Sequence, residues 1–562
     1  MAANQLSPGV VVQERDLTTI TSLSTANLGV LAAPFELGPV EEVVQVTSER
    51  DLVEKFGKPN DNNYEYWYTA SQFLSYGGVL KAIRVNSAAL KNGVNTGTAP
   101  LITNLDNYES SWETSNNNWN WGARTPGHKG NSIGVFVTDS GADQIAVLPA
   151  PGSGNEHEFV ADAALSASSG AAGKVFKYAL RLTVGSVVGT FTPGATTTIN
   201  IGGSQESVNV LAWDENNKKL EIGLPSGGVT GIIADGQTIT AGTNTAVIST
   251  GGIERQLYIA LNKDSIDFAA SDVVADTNST NVTVSTVRVE YNEREYLPGV
   301  KWINVAPRPG TSQTVAGQGG FRDELHVVVV DVDGGITGTS GAVLERFIGM
   351  SKASDGKTSV GETNYYVTVI KQRSNYIYWG NHETGLFSAT GTASDGNWGL
   401  TGVGRQFNLL RSSAGTTDFP GGSFTIGSKN NATFYYRLAD GVSYSVSSGE
   451  YSVSSTDVES AYQLISDPES QTIDYILTGP SGVDDGTAKA KVTALTSIVE
   501  ERRDCLLFVS PRRANVVGVS SSATQTENIE SFFKLLPSSS YVVFDSGYKL
   551  SLIHISEPTR PY

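Results

Sequence analysis

Two hydrophobic textures alternate along this chain. In one, apolar residues recur every three or four positions beside short, fully apolar runs, which predicts helices packed on buried strands; in the other, apolar and polar residues alternate in short stretches punctuated by glycine, which predicts half-buried strands. Residues 24–87 carry the first texture. Leu28-Gly29-Val30-Leu31-Ala32 is a short buried strand ended by Pro34, and Val43, Val44 and Val46 predict a second. Ser48 is placed to cap a helix, with Asp51 in its first turn, Leu52 and Phe56 on one face and Gly57 closing it. A second helix is expected from about Tyr64 through Trp67, Ala70 and Phe73/Leu74 to Gly77-Gly78, after which Val79–Val85 returns as a strand.

From 88 to 431 the second texture dominates. Ile133–Thr138, Gln144–Leu148, Tyr178–Val184, Thr196–Ile201, Ser207–Trp213 and Val282–Tyr291 alternate, separated by turn clusters such as Gly202-Gly203 and Gly251-Gly252. Regular short strands with this punctuation predict sandwich-like or barrel-like all-β modules. Leu325–Val332 and Tyr365–Ile370 read as more continuous strands, and Gly380–Lys429, rich in Gly, Ser, Thr and Asn, as a long surface loop. No repeat in the range of solenoid periods is present.

From about 432 the first texture returns. Thr456-Asp457 is expected to cap a helix bearing Val458, Ala461, Tyr462 and Ile465, followed by the strand Ile473–Leu477. A helix with Val492, Leu495, Ile498 and Val499 on one face leads into Cys505–Val509, and another with Ile529, Phe532, Phe533 and Leu536 leads into Tyr541–Phe544. Helices alternating with fully apolar strands imply a sheet covered on both faces. The expected fold class is therefore α/β plus all-β. A bipartite α/β domain is built from 24–87 and 432–549, with Val79–Val85 and Cys505–Val509 in one partly parallel sheet. A large β-rich region of one or two modules, 88–431, is inserted at one side of it.

Length and composition sharpen this picture. At 562 residues the chain exceeds a single core, and length alone suggests about three or four domains. The net charge of −18 argues against direct nucleic-acid binding, which needs clustered Lys and Arg. Met1–Ser7 lacks the basic and apolar regions of a signal peptide, and no apolar stretch is long enough to insert in a membrane. The single Cys505 excludes an intramolecular disulfide and a cysteine-built metal site. Residues 550–562, beginning Leu-Ser-Leu-Ile-His-Ile-Ser-Glu-Pro-Thr-Arg, look like a translated sequencing adaptor, an artefact to be set apart from the fold. On that reading the natural gene continues past Lys549.

Candidate chemistry is sparse. Gly356-Lys357-Thr358 invites a phosphate-loop reading, but Ser351 stands where that motif needs its first glycine. Asp331-Val332-Asp333-Gly334 lacks the remaining ligands of a calcium loop and reads as a strand-end turn. His128, His157, His326 and His382 are scattered without zinc spacing, and His157 lies in Glu156-His157-Glu158, read as a solvated loop. No Gly-x-Ser-x-Gly elbow occurs, and Cys505 within an apolar strand reads as core. We therefore expect no catalytic, cofactor-binding or metal site and no cofactor. Trp112, Trp119 and Trp121 with Asn116–Asn118 form the densest aromatic cluster. They could line a sugar-binding groove, as in a β-rich virion adhesin or carbohydrate-binding protein, or they could simply pack between sheets.

The opening residues carry a different signal. Pro8 and Gly9 break any helix, Val10, Val11 and Val12 favour extended chain, and Gln13, Glu14, Arg15 and Asp16 follow without an apolar partner close in sequence. A strand beside a free terminus needs a sheet edge, in its own chain or a neighbour's. Residues 1–23 are thus read as an extended arm, with 8–16 as its pairing segment and Thr18–Asn27 as a linker of small and polar residues.

Several segments, in order, resemble the sheath proteins of contractile phage tails, especially the T-even-like type. They are Ser7–Val11; Gly38-Pro39; Phe56–Pro59; Tyr64–Val85; Ala123–Gly127 with Gly130-Asn131; Arg503–Leu507 through Ser510–Arg512 and Val516–Gly518; and Tyr541–Lys549. The resemblance covers roughly 1–90, 123–131 and 430–549, and the middle of the insertion resembles nothing recognisable. It implies a non-enzymatic homo-oligomer of stacked rings in a helical sheath, assembled in the host cytoplasm and carried in the virion tail. Such a sheath contracts to drive the tail tube through the host envelope for genome ejection, using energy stored in a bistable packing. The implied partners are the tail tube protein and the baseplate and tail terminator proteins. Residues 8–16 would be an inter-subunit arm, the insertion would face outward, and a last domain with a C-terminal arm would lie beyond Lys549.

Overall fold

The computed structural model describes residues 27–276, 281–297, 299–382, 386–387, 397–410, 415–419, 422–426, 432–447, 449–482, 484–545 and 548. The chain divides into two compact units, one made of 1–87 with 444–562 and the other of 88–443.

In the first unit six strands form one sheet in the order Val43–Val46, Val79–Arg84, Leu28–Ala33, Tyr475–Leu477, Leu506–Val509, Val542–Phe544. Leu28–Ala33 is central: Gly29 and Val30 lie beside Tyr475 and Ile476 on one side, and Leu28–Ala33 pairs with Val79–Arg84 on the other, both in parallel. Only Val43–Val46 runs antiparallel to its neighbour. Alternation along each strand sends side chains to opposite faces. Val30, Ala32, Ile83, Ile476, Leu507 and Val509 point to a core closed by helices Ser455–Gln463, Asp485–Arg502 and Ser522–Phe533, through residues such as Tyr462, Val492, Leu495, Val499 and Phe532. Leu31, Ala33, Leu80 and Ala82 point the other way, under Leu52 and Phe56 of helix Glu49–Phe56 and Trp67, Ala70 and Leu74 of helix Tyr64–Ser75. Each fully buried aliphatic or aromatic side chain contributes about 1.5–3 kcal/mol to holding these layers together.

Local chemistry sets the element ends. Ser48 accepts from the Asp51 amide at 3.2 Å, and Gly57 leaves helix Glu49–Phe56 at φ +84°. The helix expected to start at Thr456-Asp457 is capped two residues earlier, because Ser454 is the residue whose hydroxyl reaches the Asp457 amide, at 3.0 Å. Gly78 does more than end a helix: a Cβ there would stand 2.6 Å from Phe73, and one at Gly29 2.5 Å, so the two glycines form the seat of that ring.

In the second unit, Ala342–Ser351, Glu324–Asp331, Ile133–Asp139 and Thr433–Arg437 form an antiparallel four-stranded sheet. Thr433–Arg437, which the sequence texture assigns to the C-terminal α/β stretch, therefore belongs to the second unit. Within a larger sheet, Ala172–Val188, Lys219–Gly223, Ser204–Asp214, Thr196–Ile201, Thr238–Ala241 and Asn244–Leu261 pair in a ring that closes on itself, a six-stranded barrel. Leu180, Leu182, Ile199, Val208, Val210, Leu220, Ile222, Ile239 and Ile248 belong to its packed core.

Four expectations change here. Gly251-Gly252 does not separate strands; it lies inside Asn244–Leu261, where the register shifts between Ile248 and Ile253 and Gly251 takes φ +67°. Tyr365–Ile370 is not a strand: Tyr366–Arg373 is helical, because Tyr366 and Ile370, four apart, and Val367 and Val369 all reach one core, which outweighs the β-branched propensity. Val282–Tyr291 is broken into strands Val282–Thr283 and Thr286–Val289 and a 3₁₀ turn. Gly380–Lys429 is not simply a loop. Leu386–Phe387 pairs with Leu409–Leu410 and Gly415–Phe419 with Gly422–Ile426, while Trp398, Phe407 and Leu410 are buried.

Candidate assembly edge and the carboxyl end of the first sheet

The predicted arm, Pro8, Gly9, Val10, Val11, Val12, Gln13, Glu14, Arg15 and Asp16, lies outside the described residues, as does 550–562. What the first unit does present is two different sheet edges. At Val43–Val46 the Gln45 carbonyl accepts from Lys55 Nζ at 2.6 Å, and Lys55 is itself held by Asp51 at 3.0 Å. A lysine drawn onto an edge carbonyl discourages pairing there. At Val542–Phe544 the Tyr541 carbonyl accepts from the Leu507 amide at 2.9 Å and the Asp545 amide donates to Val509 O at 3.0 Å. Odd-numbered residues thus turn their main-chain groups inward, and the alternation turns those of Val542 and Phe544 outward, where the Val542 amide donates to Ser539 O at 3.4 Å. Among the described residues no strand pairs with them. Val543 and Phe544 are each 37% exposed, so the open edge is also apolar.

The carboxyl ends of the parallel strands are where open α/β sheets hold ligands, at the point where the crossing helices switch faces. Here that point falls between Leu28–Ala33, served by helix Tyr64–Ser75, and Tyr475–Leu477, served by helix Asp485–Arg502 on the other face. It is filled from within. Gly479, at φ +63°, leaves room for Tyr66, whose ring a Cβ would approach to 2.8 Å. Lys491 Nζ reaches in to donate to Thr478 O at 2.6 Å and Pro480 O at 2.9 Å. Arg512 pairs with Asp485 at 2.7 Å and Arg513 with Glu65 at 3.2 Å across the rim. Sequence reasoning passed over Lys55, Lys491 and Arg513, and took Arg512 only as part of the family resemblance. Only Lys491 carries a readable signal, a lysine one position before Val492 on the apolar face of its helix.

The other sequence candidates are placed as follows. Lys357 is exposed in a turn closed by Thr358 and Glu362, and the next helix begins only at Tyr366. Calorimetry with ATP is expected to give no specific binding signal; a signal abolished by Lys357→Ala would overturn this. Asp331 is a turn-former, accepting from the Ile336 and Thr337 amides at 3.0 and 2.7 Å. Glu156 is not solvated: it is buried and accepts from Arg255 Nε at 2.5 Å, Arg255 Nη2 at 2.9 Å and the Ile233 amide at 3.2 Å. His157 beside it is exposed. His326 is buried between Pro307 O and the Gly349 amide, and burial lowers its pKa. Cys505 is a buried core thiol whose pKa burial pushes up to about 11. Trp119 and Trp121 are buried, and Trp112 is partly buried against the core that holds Trp119, so the cluster offers no exposed aromatic platform. Among the described residues no group of acidic, histidine or cysteine side chains could hold a metal, and no helix is long and apolar enough to cross a membrane.

Comparison with known proteins gives one consistent answer. Residues 29–85 match the model of the tail sheath protein Gp18 domain III N-terminal region. The tail sheath protein of Salmonella phage ViI is 28% identical over 299 residues, 51% of this chain and 44% of its own length. That of Enterobacteria phage T4 is 24% identical over 523 residues, 92% of this chain and 63% of its own length. That of Vibrio phage KVP40 is 39% identical over 83 residues, 15% of this chain and 12% of its own length. The chain thus spans less than two thirds of the length of these relatives. Its similarity is to tail sheath proteins of the T4-like kind, as the ordered segments of the sequence imply.

Proposed function

We propose that this chain is a structural subunit of a contractile phage tail sheath, polymerising around the tail tube and contracting to drive it through the host envelope for genome ejection. The observation that carries this reading is the match to the T4 tail sheath protein across 92% of the chain, together with the family match on 29–85. The chain is an assembly component and not an enzyme on this reading. The filled carboxyl end of its first sheet supports that: the place where an α/β fold would hold a substrate is taken by Tyr66 and Lys491.

The first unit, drawn from both ends of the chain, is the sheath core. The β-rich second unit is the outward-facing insertion. Residues 8–16 act as an arm donated to a sheet edge of an adjacent subunit, where main-chain hydrogen bonds tether neighbours while units turn as rigid bodies. Subunits stack as rings in a helical assembly in the virion tail, formed in the host cytoplasm and engaging tube, baseplate and terminator proteins. Electron microscopy of the full-length protein tests this: helical tubes are expected, whereas trimers or dispersed monomers under polymerising conditions would overturn it.

A further inference from the structure

Lys491 differs from three other buried cations of this chain. Lys352, Arg255 and Arg294 each meet a buried carboxylate. Among the described residues Lys491, 5% exposed, meets none: its Nζ has two oxygen partners there, the carbonyls of Thr478 and Pro480, and the face of the Tyr66 ring at 5.1 Å. A neutral amine has two N–H bonds for those two carbonyls, whereas the third proton of an ammonium would have only the ring. The side chain also bridges layers. It leaves helix Asp485–Arg502 on one face of the sheet, crosses the end of Tyr475–Leu477, and touches Tyr66 of helix Tyr64–Ser75 on the other face.

We propose that Lys491 is a proton-responsive latch: proton uptake at its Nζ weakens the first unit at the 478–482 loop, and proton loss tightens it. The titratable and charged groups on the elements around it include Tyr64, Glu65 and Tyr66, Tyr462, Asp484, Asp485 and Lys489, and Arg512 with Arg513. Glu65 is engaged by Arg513 and Asp485 by Arg512, Tyr462 donates to Leu477 O, and Tyr66 is held neutral by burial. None offers Lys491 a counter-charge, and burial alone lowers its pKa to about 7. The folded value thus lies below the ordinary 10.5, so between the two the unfolded chain holds the extra proton and stability rises with pH. A shift of that size makes the unfolding constant about fiftyfold smaller at pH 9 than at pH 7. The carbonyls and the ring favour the ammonium and reduce this, and a tenfold fall is the threshold we set.

The sole cysteine, buried in the same core, reports opening of this unit alone. A saturating maleimide pulse on the full chain across a urea series gives the midpoint for Cys505 exposure at each pH. Wild type is expected to show at least a tenfold fall in the unfolding constant from pH 7 to 9. Lys491→Gln, which keeps donors for the carbonyls but cannot titrate in this range, is expected to lack it. A wild type without that fall, or a variant with the same slope, overturns the proposal. A second measurement needs no variant: with ¹³C-labelled lysine in the wild-type chain, one Cε–Hε signal is expected to titrate between pH 6 and 8. If every lysine signal holds until above pH 9, the latch does not exist.

Discussion

Deleting residues 1–17 is expected to leave a folded monomer that no longer polymerises. The arm is separated from Leu28 by a linker of small and polar residues, and the described residues of the first unit already form two cores, with five helices covering both faces of its sheet. Folding therefore should not depend on the arm. Assembly should, because a contact made of several main-chain hydrogen bonds, each worth about 1 kcal/mol net, becomes decisive only when repeated across many subunits. Sedimentation and electron microscopy of the deleted full-length protein give the answer, with circular dichroism confirming the fold. Normal sheath tubes from the deletion variant would show that the arm does not join subunits.

Lys352→Met is expected to destabilise the second unit by about 3–5 kcal/mol, the range for removing one partner of a buried ion pair. Lys352 and Asp139 are both wholly buried. Nζ donates to Asp139 Oδ2 at 2.6 Å and to the carbonyls of Arg322 and Asn408, each at 3.2 Å, beside the Trp398 ring. Asp139 also accepts from the Leu410 and Gly141 amides at 2.8 and 2.9 Å. The site therefore ties strand Ile133–Asp139 to the segments at 322, 352 and 408–410. Methionine fills the space of the lysine stem but leaves the carboxylate buried, bonded to two amides and to no cation. Adding Asp139→Asn is expected to recover part of the loss, since the uncompensated charge is the larger penalty. Urea unfolding by tryptophan fluorescence measures both, because seven of the eight tryptophans lie in this unit. A loss under 1 kcal/mol would show that solvent reaches the pair.

Much of the local structure was written in short stretches. Ser48 and Asp51, Leu52 and Phe56, and Gly57 form a cap, an apolar face and a stop within ten residues, and the cap and the stop are made by contacts inside that span. The same holds for the Gly202-Gly203 hairpin turn and for the Asp331 turn. The likeness to tail sheath proteins was also legible, since it rests on ordered residues and not on contacts. Where propensity and packing disagreed, packing won: Val367, Val369 and Ile370 favour a strand in isolation, yet a helix is what brings them and Tyr366 to one core.

The sequence by itself therefore determined most elements of the first unit, the apolar faces of its helices, and the family resemblance, while element ends and several elements of the second unit differ from it. Tertiary structure decided the neighbours. That Gly29 lies beside Tyr475, that Ala172–Val188 closes a barrel against Asn244–Leu261, that Glu156 meets Arg255, and that Lys491 faces the Tyr66 ring all depend on residues far apart in sequence. Periodicity is set by bonds within one element, so it reports which face is buried. The partner on that face is selected by the packing free energy of the whole unit, which no short stretch of chain contains.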